Sequence, residues 1–396
     1  MKYYLFSQPH QPFFAFGMIF FIIFISIITL VYKGVIHPIA DITLYHTYPM
    51  IHIVFIQFFL GFLFVVFPRF LTQADVKKDR YTNIFFIFLV GASLYTASLF
   101  ISLNLTKVAI IILLCASISS FLTLLGIYKK SIVKDKKDTK FVLISLGFGI
   151  TSNIFMLISS FGYYLFEILS IHIGFYLFLF ALIFTISQRM IPFFSSVKVN
   201  GYKINKSNHL LEIVFILLAL KVLSLSIDNS LFSLIIDFSL FIFFTYEIYK
   251  WKLPILKVTP IMWVLYISLF WIPIGFFISF LDSLLIFLKY NIFFEKSVVH
   301  TLAVGYFSTI LLGFGTRVVL GHSGRTPTSD NLTTTLFLLL QLVVITRVLA
   351  GIGINFNFNY NFWIVLSGIS LVLILSIWSF RYLKILFKPE LCNKKQ

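Results

Sequence analysis

Residues 50–69 read MIHIVFIQFFLGFLFVVFPR, an apolar run closed by a single arginine. About twenty such residues in an α-helix rise roughly 30 Å, the thickness of a bilayer's hydrocarbon core. Runs of the same kind recur at approximately 13–32, 50–68, 84–103, 108–128, 141–163, 168–188, 210–227, 231–249, 260–281, 297–317, 333–354 and 362–383. Over the 396 residues, 60% are hydrophobic and only 11% charged, with a mean hydropathy of +1.01. No aqueous fold could hide that much apolar surface in its core, so the solvent is lipid. The 51 Phe residues are tolerated because a spanning helix closes its backbone hydrogen bonds internally. The first run, from Phe13, lacks a small-residue cleavage site and reads as a retained helix. Length alone suggests two domains, but the short connections predict a single transmembrane domain, 1–396, of all-α class with twelve helices.

The net charge of +17 could suggest nucleic acid, yet the Lys and Arg flank apolar runs instead of interleaving with exposed aromatics, so no nucleic-acid partner is expected. Their placement is one-sided. Outside the predicted spans, 25 fall on the side of the termini and the even-numbered connections, against four (Lys33, Lys107, Lys289 and Lys296) on the other. Cytoplasmic segments are the ones enriched in Lys and Arg, so both termini are expected in the cytoplasm. Cys115 lies in an apolar run and Cys392 in the polar tail, which argues against a disulfide or a cysteine-based metal site.

Three predicted helices carry a His near the start and an Arg at the end, always 17 residues apart: His52 with Arg69, His172 with Arg189, and His300 with Arg317. These are helices two, six and ten, so the pattern predicts three four-helix repeats, approximately 13–128, 141–249 and 260–383. Seventeen residues rise roughly 25 Å, which places each Arg at the cytoplasmic interface and each His just below the opposite surface. Arg347, in the outer part of helix eleven, needs an anion. Asp282 is one candidate and a haem propionate another. Neutral imidazole is the commonest metal ligand, and haem iron often takes one or two of them axially. No Cys-x-x-Cys-His occurs, so a haem here would be held non-covalently, as haem b.

The segment from His300 to Arg325, HTLAVGYFSTILLGFGTRVVLGHSGR, resembles the signature of the NnrS family of haem- and copper-containing membrane proteins. GFLFVVFPRF at 61–70, QRMIPFF at 188–194 and ITRVLA at 345–350 resemble the same family. The resemblance implies an inner-membrane protein of denitrification and of the response to nitric oxide and nitrosative stress. It also implies copper as a second candidate cofactor, with His172, His300 and His52 as candidate metal ligands, and a small ligand such as nitric oxide as partner alongside the lipid bilayer. Family members often open helix two with His-x-His-Glu, and the matching register here is His46, Thr47, Tyr48 and Pro49, of which only the first His is retained. The repeat spacing favours His52 as the helix-two ligand and the motif register favours His46. The architecture is also similar to the haem-copper oxidase catalytic subunit, in which a His and a redox Tyr share one helix face, as His172 and Tyr176 do here. Helix seven contains no His, which argues against a full oxygen-reducing site.

GHSGRTP at 321–327 puts His322 and Arg325 just past a predicted helix end, as an anion-binding turn or a helix C-cap. Lys221 and Asp237 are predicted to form an intramembrane pair. KKSIVKDKKDTK at 129–140 reads as a topology signal facing anionic lipid. His10, His37 and His209 receive no role. Two other functional classes fit the topology: a secondary transporter, whose mark is broken helices at mid-depth, and an assembly factor that hands over haem or copper.

Overall fold

The computed structural model describes residues 4–292, 294 and 296–388, so Cys392 lies outside the described residues. Within them the chain forms twelve main helices: α1 His10–Tyr32, α2 Thr43–Phe70, α3 Lys78–Ile101, α4 Leu103–Lys130, α5 Lys137–Ser159, α6 Leu165–Lys198, α7 Leu210–Ser224, α8 Ser230–Lys250, α9 Pro260–Phe287, α10 Ser297–His322, α11 Asn331–Phe356 and α12 Tyr360–Phe387. All except α7 are long and apolar enough to cross a membrane. The 15 residues of α7 rise only roughly 22 Å, short of a full hydrocarbon core. The chain is a multi-pass membrane protein.

Each predicted span overlies one helix, but the ends move. The expectation that α2 begins near residue 50 is corrected to Thr43, which brings His46 into the helix. Pro49, just before that expected start, is itself helical, with φ −64° and ψ −33°. A proline interrupts a helix through its missing N–H, and here π-helical stretches flank it, Thr43–Thr47 and Met50–Phe55, where the hydrogen-bond ladder has already shifted register. Pro68 and Pro192 likewise lie inside α2 and α6, so both helices run beyond the predicted interface.

The packing is layered. Across their apolar cores α2 is 94% buried and α6 and α10 are each 78% buried, whereas the other candidate spans range from 33% to 61%. These three helices form the centre, and the remaining ones form a wall in which α1 closes against α12. At the middle, Phe307 of α10 meets Phe55 of α2 at 5.8 Å and Phe175 of α6 at 5.2 Å between ring centres. The same three helices hold every π-helical stretch among the described residues: the two in α2, Ile173–Phe180 in α6 and Thr301–Ser308 in α10.

Close approach of α1 to α2 depends on Gly61. A Cβ there would stand 2.9 Å from Phe13 Cβ and 3.2 Å from the His10 backbone, which cannot swing aside. Gly61→Val is therefore expected to destabilise the bundle by about 1–3 kcal/mol, read as a lower melting temperature in detergent, whereas Gly126→Ala, with nothing within 4 Å of the added carbon, should melt close to wild type.

Candidate functional site

At the end of the bundle opposite the termini, where α2, α6 and α10 begin, the central helices part around a cavity of about 470 Å³. His46, His172 and His300 all line it, together with Tyr176 and Arg347. Each imidazole adjoins a π-helical turn: His46 lies within Thr43–Thr47, His172 directly precedes Ile173–Phe180, and His300 directly precedes Thr301–Ser308. Such turns break the regular helical hydrogen-bond register and recur at functional sites.

The rings of His46 and His300 are parallel to within 2°, their centres 6.0 Å apart. Two imidazoles on opposite sides of one metal ion, with each nitrogen about 2 Å from it, have ring centres about 6 Å apart. His300 is also set in one tautomer. Its Nδ1 lies 2.9 Å from the Lys296 carbonyl, which can only accept, so Nδ1 carries the proton and Nε2 keeps its lone pair. The Nδ1 atoms of His46 and His172 are buried without a hydrogen-bond partner.

Arg347 is 8% exposed, its guanidinium 5.8 Å from the centre of the Tyr360 ring. Its Nη1 is buried and unpaired. Asp282 lines the same cavity, yet the ion pairs found among the described residues do not join it to Arg347. Among the described residues the wall carries Arg347, Lys221 and Lys296 and the carboxyl of Asp282; Lys221 is neutralised by Asp237 behind the wall, which leaves Arg347 and Lys296 against Asp282. Such a lining favours an anionic occupant.

His52 is placed elsewhere. It is 4% exposed, does not line the cavity, and its Nε2 lies 3.0 Å from Ser152 Oγ of α5. Because that hydroxyl donates to the Ser170 carbonyl at 2.7 Å, the imidazole Nε2–H is the donor to Ser152. The equal 17-residue spacing points to His52, but that ring is turned to Ser152 of α5, and His46, six residues earlier on α2, stands at the cavity. Among the described residues no group of three or more His, Cys, Asp or Glu gathers closely enough to hold a metal ion, so His52, His172 and His300 do not form one.

Lys221 reaches the cavity wall from the short α7, a placement that spacing along the chain does not reveal. Its Nζ lies 2.6 Å from Asp237 Oδ1 and 3.1 Å from Ser279 Oγ, and Ser283 donates to Asp237 Oδ2 at 2.5 Å. The intramembrane pair thus forms, and serines from α9 satisfy what the ions leave open.

At the terminal end the arginines serve packing and pairing. Arg189 pairs with Asp138 at 2.8 Å and lies 3.9 Å from the Phe70 ring centre, and Arg317 lies 4.0 Å from that of Phe194. Arg69 ends α2 exposed. The 321–327 segment is a helix C-cap in its backbone. Gly324 takes φ +78°, Arg325 N–H bonds the Leu320 carbonyl at 3.1 Å and Gly324 N–H that of Gly321 at 3.4 Å, a Schellman pattern that occupies the amides an anion would need. His322 is the last residue of α10 and not part of a loop.

Against this geometry, the NnrS protein family profile matches residues 4–390. The chain belongs to the NnrS family. A comparison with curated proteins finds no match. Membership bears on nitric-oxide response and covers nearly the whole bundle, so the cavity and the central helices all lie within the matched region of this NnrS family protein.

Removing one ion of the Lys221–Asp237 pair strands the other in an apolar setting. Lys221→Met is expected to cost about 3–5 kcal/mol, and Lys221→Met with Asp237→Leu to recover most of that, measured as a double-mutant cycle of unfolding in detergent.

Proposed function

We propose that this protein is an inner-membrane haem protein of the nitric-oxide response, with both termini in the cytoplasm, that holds a non-covalent haem b between His46 and His300. The observation that carries the reading is the parallel pair of imidazoles 6.0 Å apart, beside a buried guanidinium whose Nη1 has no hydrogen-bond partner among the described residues. The cavity volume of about 470 Å³ lies in the range of roughly 300–1,000 Å³ typical of cofactor pockets. Arg347 would hold a propionate, assisted by Lys296 on the same wall. A bound haem supplies gas binding and one-electron chemistry.

The chain's own groups set what such a site does. His300 is anchored through Lys296, whereas the Nδ1 of His46 has no hydrogen bond to hold its ring. His300 and His46 would hold the haem, with His46 the less firmly anchored of the two rings. His172 and Tyr176 line the same cavity and would border the space open to a small ligand such as nitric oxide. His172 is the third imidazole on the cavity wall, with its Nδ1 unpaired. The same reading takes the bundle as three four-helix units, approximately 13–128, 141–249 and 260–383, supported by π-helical turns in the second helix of each.

Optical spectra of the detergent-purified protein test the proposal. The expected result is a low-spin two-imidazole spectrum whose reduced Soret and alpha bands shift on adding nitric oxide. His300→Ala and His46→Ala should each abolish that low-spin signature, while His52→Ala and His209→Ala should retain it. A colourless protein from haem-replete cells would overturn the reading and favour a transporter, and loss of the signature in His52→Ala with retention in His46→Ala would reassign the ligand.

A further inference from the structure

Two imidazoles also meet at the terminal end of the bundle. His10, the first residue of α1, and His322, the last of α10, lie with ring centres 4.5 Å apart and planes tilted by 38°. His10 is 2% exposed, and its Nδ1 is buried with no hydrogen-bond partner. Neither ring lines the cavity at the far end. The two sites are separated by roughly 30 Å, the rise of α10 from His300 to His322.

A buried polar nitrogen left without a partner is destabilising, a cost that a ligand at that nitrogen removes. The ring separation indicates which kind. Imidazoles in adjacent positions around one ion, about 2 Å from nitrogen to metal and 90–110° apart, have ring centres roughly 4.4–5.1 Å apart, whereas opposite positions require about 6 Å. The 4.5 Å spacing falls in the adjacent range. It is too short for a haem to pass between the rings.

We propose that His10 and His322 form a second metal site, for a single copper ion, at the end of the bundle that carries the termini. Imidazole suits copper, zinc, iron and nickel, and copper binds such donors most tightly among the first-row divalent ions. Arg69, at the end of α2, lies close enough for its charge to act on both rings. A neighbouring guanidinium disfavours a weakly held divalent ion, and selects one that binds tightly, carries an anionic ligand or is stable as a monovalent cation. Copper meets all three conditions. His322 is half-buried at the rim, giving the ion a path from solvent, and the Schellman turn after it fixes the end of α10. Two imidazoles leave the ion's other coordination positions for solvent water to supply from the rim. The site is independent of the haem reading, since it shares no residue with the far cavity.

The test is to load the purified full-length protein with Cu²⁺, remove free metal, and record electron paramagnetic resonance and optical spectra on the same sample. One retained copper with nitrogen coupling from two imidazoles is expected. His322→Ala and His10→Gln should each lower copper affinity roughly tenfold or more with the Soret band unchanged, and His209→Ala should alter neither signal. The Soret band and a monodisperse elution profile report that the variants fold. Copper retained undiminished in both variants, or a wild-type signal without two imidazole nitrogens, would overturn the site. Two-imidazole copper in a preparation without haem would support it while counting against the haem proposal alone.

Discussion

Backbone N–H and C=O groups surrounded by hydrocarbon must find partners within the protein, and the central helices of this bundle meet that constraint by changing hydrogen-bond register instead of breaking. In α2, α6 and α10 the ladder passes into π-helical turns at the end opposite the termini. Each such turn spreads the helix and shifts the phase of the side chains that follow. The imidazoles at the cavity stand beside these turns, so the cavity is built by the same device that keeps the backbone satisfied.

Around the centre, buried charge is managed mainly by pairing. Lys221 and Asp237 neutralise each other and share the serines of α9. Arg189 has Asp138 and the Phe70 face. Arg347 is the exception in its setting, with a tyrosine ring beside it and a buried nitrogen unpaired. A cation so placed gains most from an anion brought in by a ligand, which links the electrostatics of the far end to the geometry of the His46 and His300 rings.

The two imidazole pairs differ in ring separation and tilt. At 6.0 Å and parallel, His46 and His300 leave space between them. At 4.5 Å and tilted, His10 and His322 do not. The first spacing is that of opposite positions about one centre and the second that of neighbouring positions, the geometric difference on which the two proposals rest.

The membrane class, the number of helices and the choice of α2, α6 and α10 as the chemistry-bearing helices follow from hydropathy, charge placement and the recurrent His and Arg, because each is a property of residues near one another in sequence. Those spacings assume a regular helix, and hence the sequence alone favoured His52 by repeat and His46 by motif without a means to decide. Only the folded chain shows Pro49 accommodated within α2, His52 bonded to Ser152 and His46 facing His300. The approach of His10 to His322 joins the start of the first helix to the end of the tenth. No periodicity carries that information, since it depends on how α1 and α10 lie against the same central helix, and long-range packing is set by the tertiary structure.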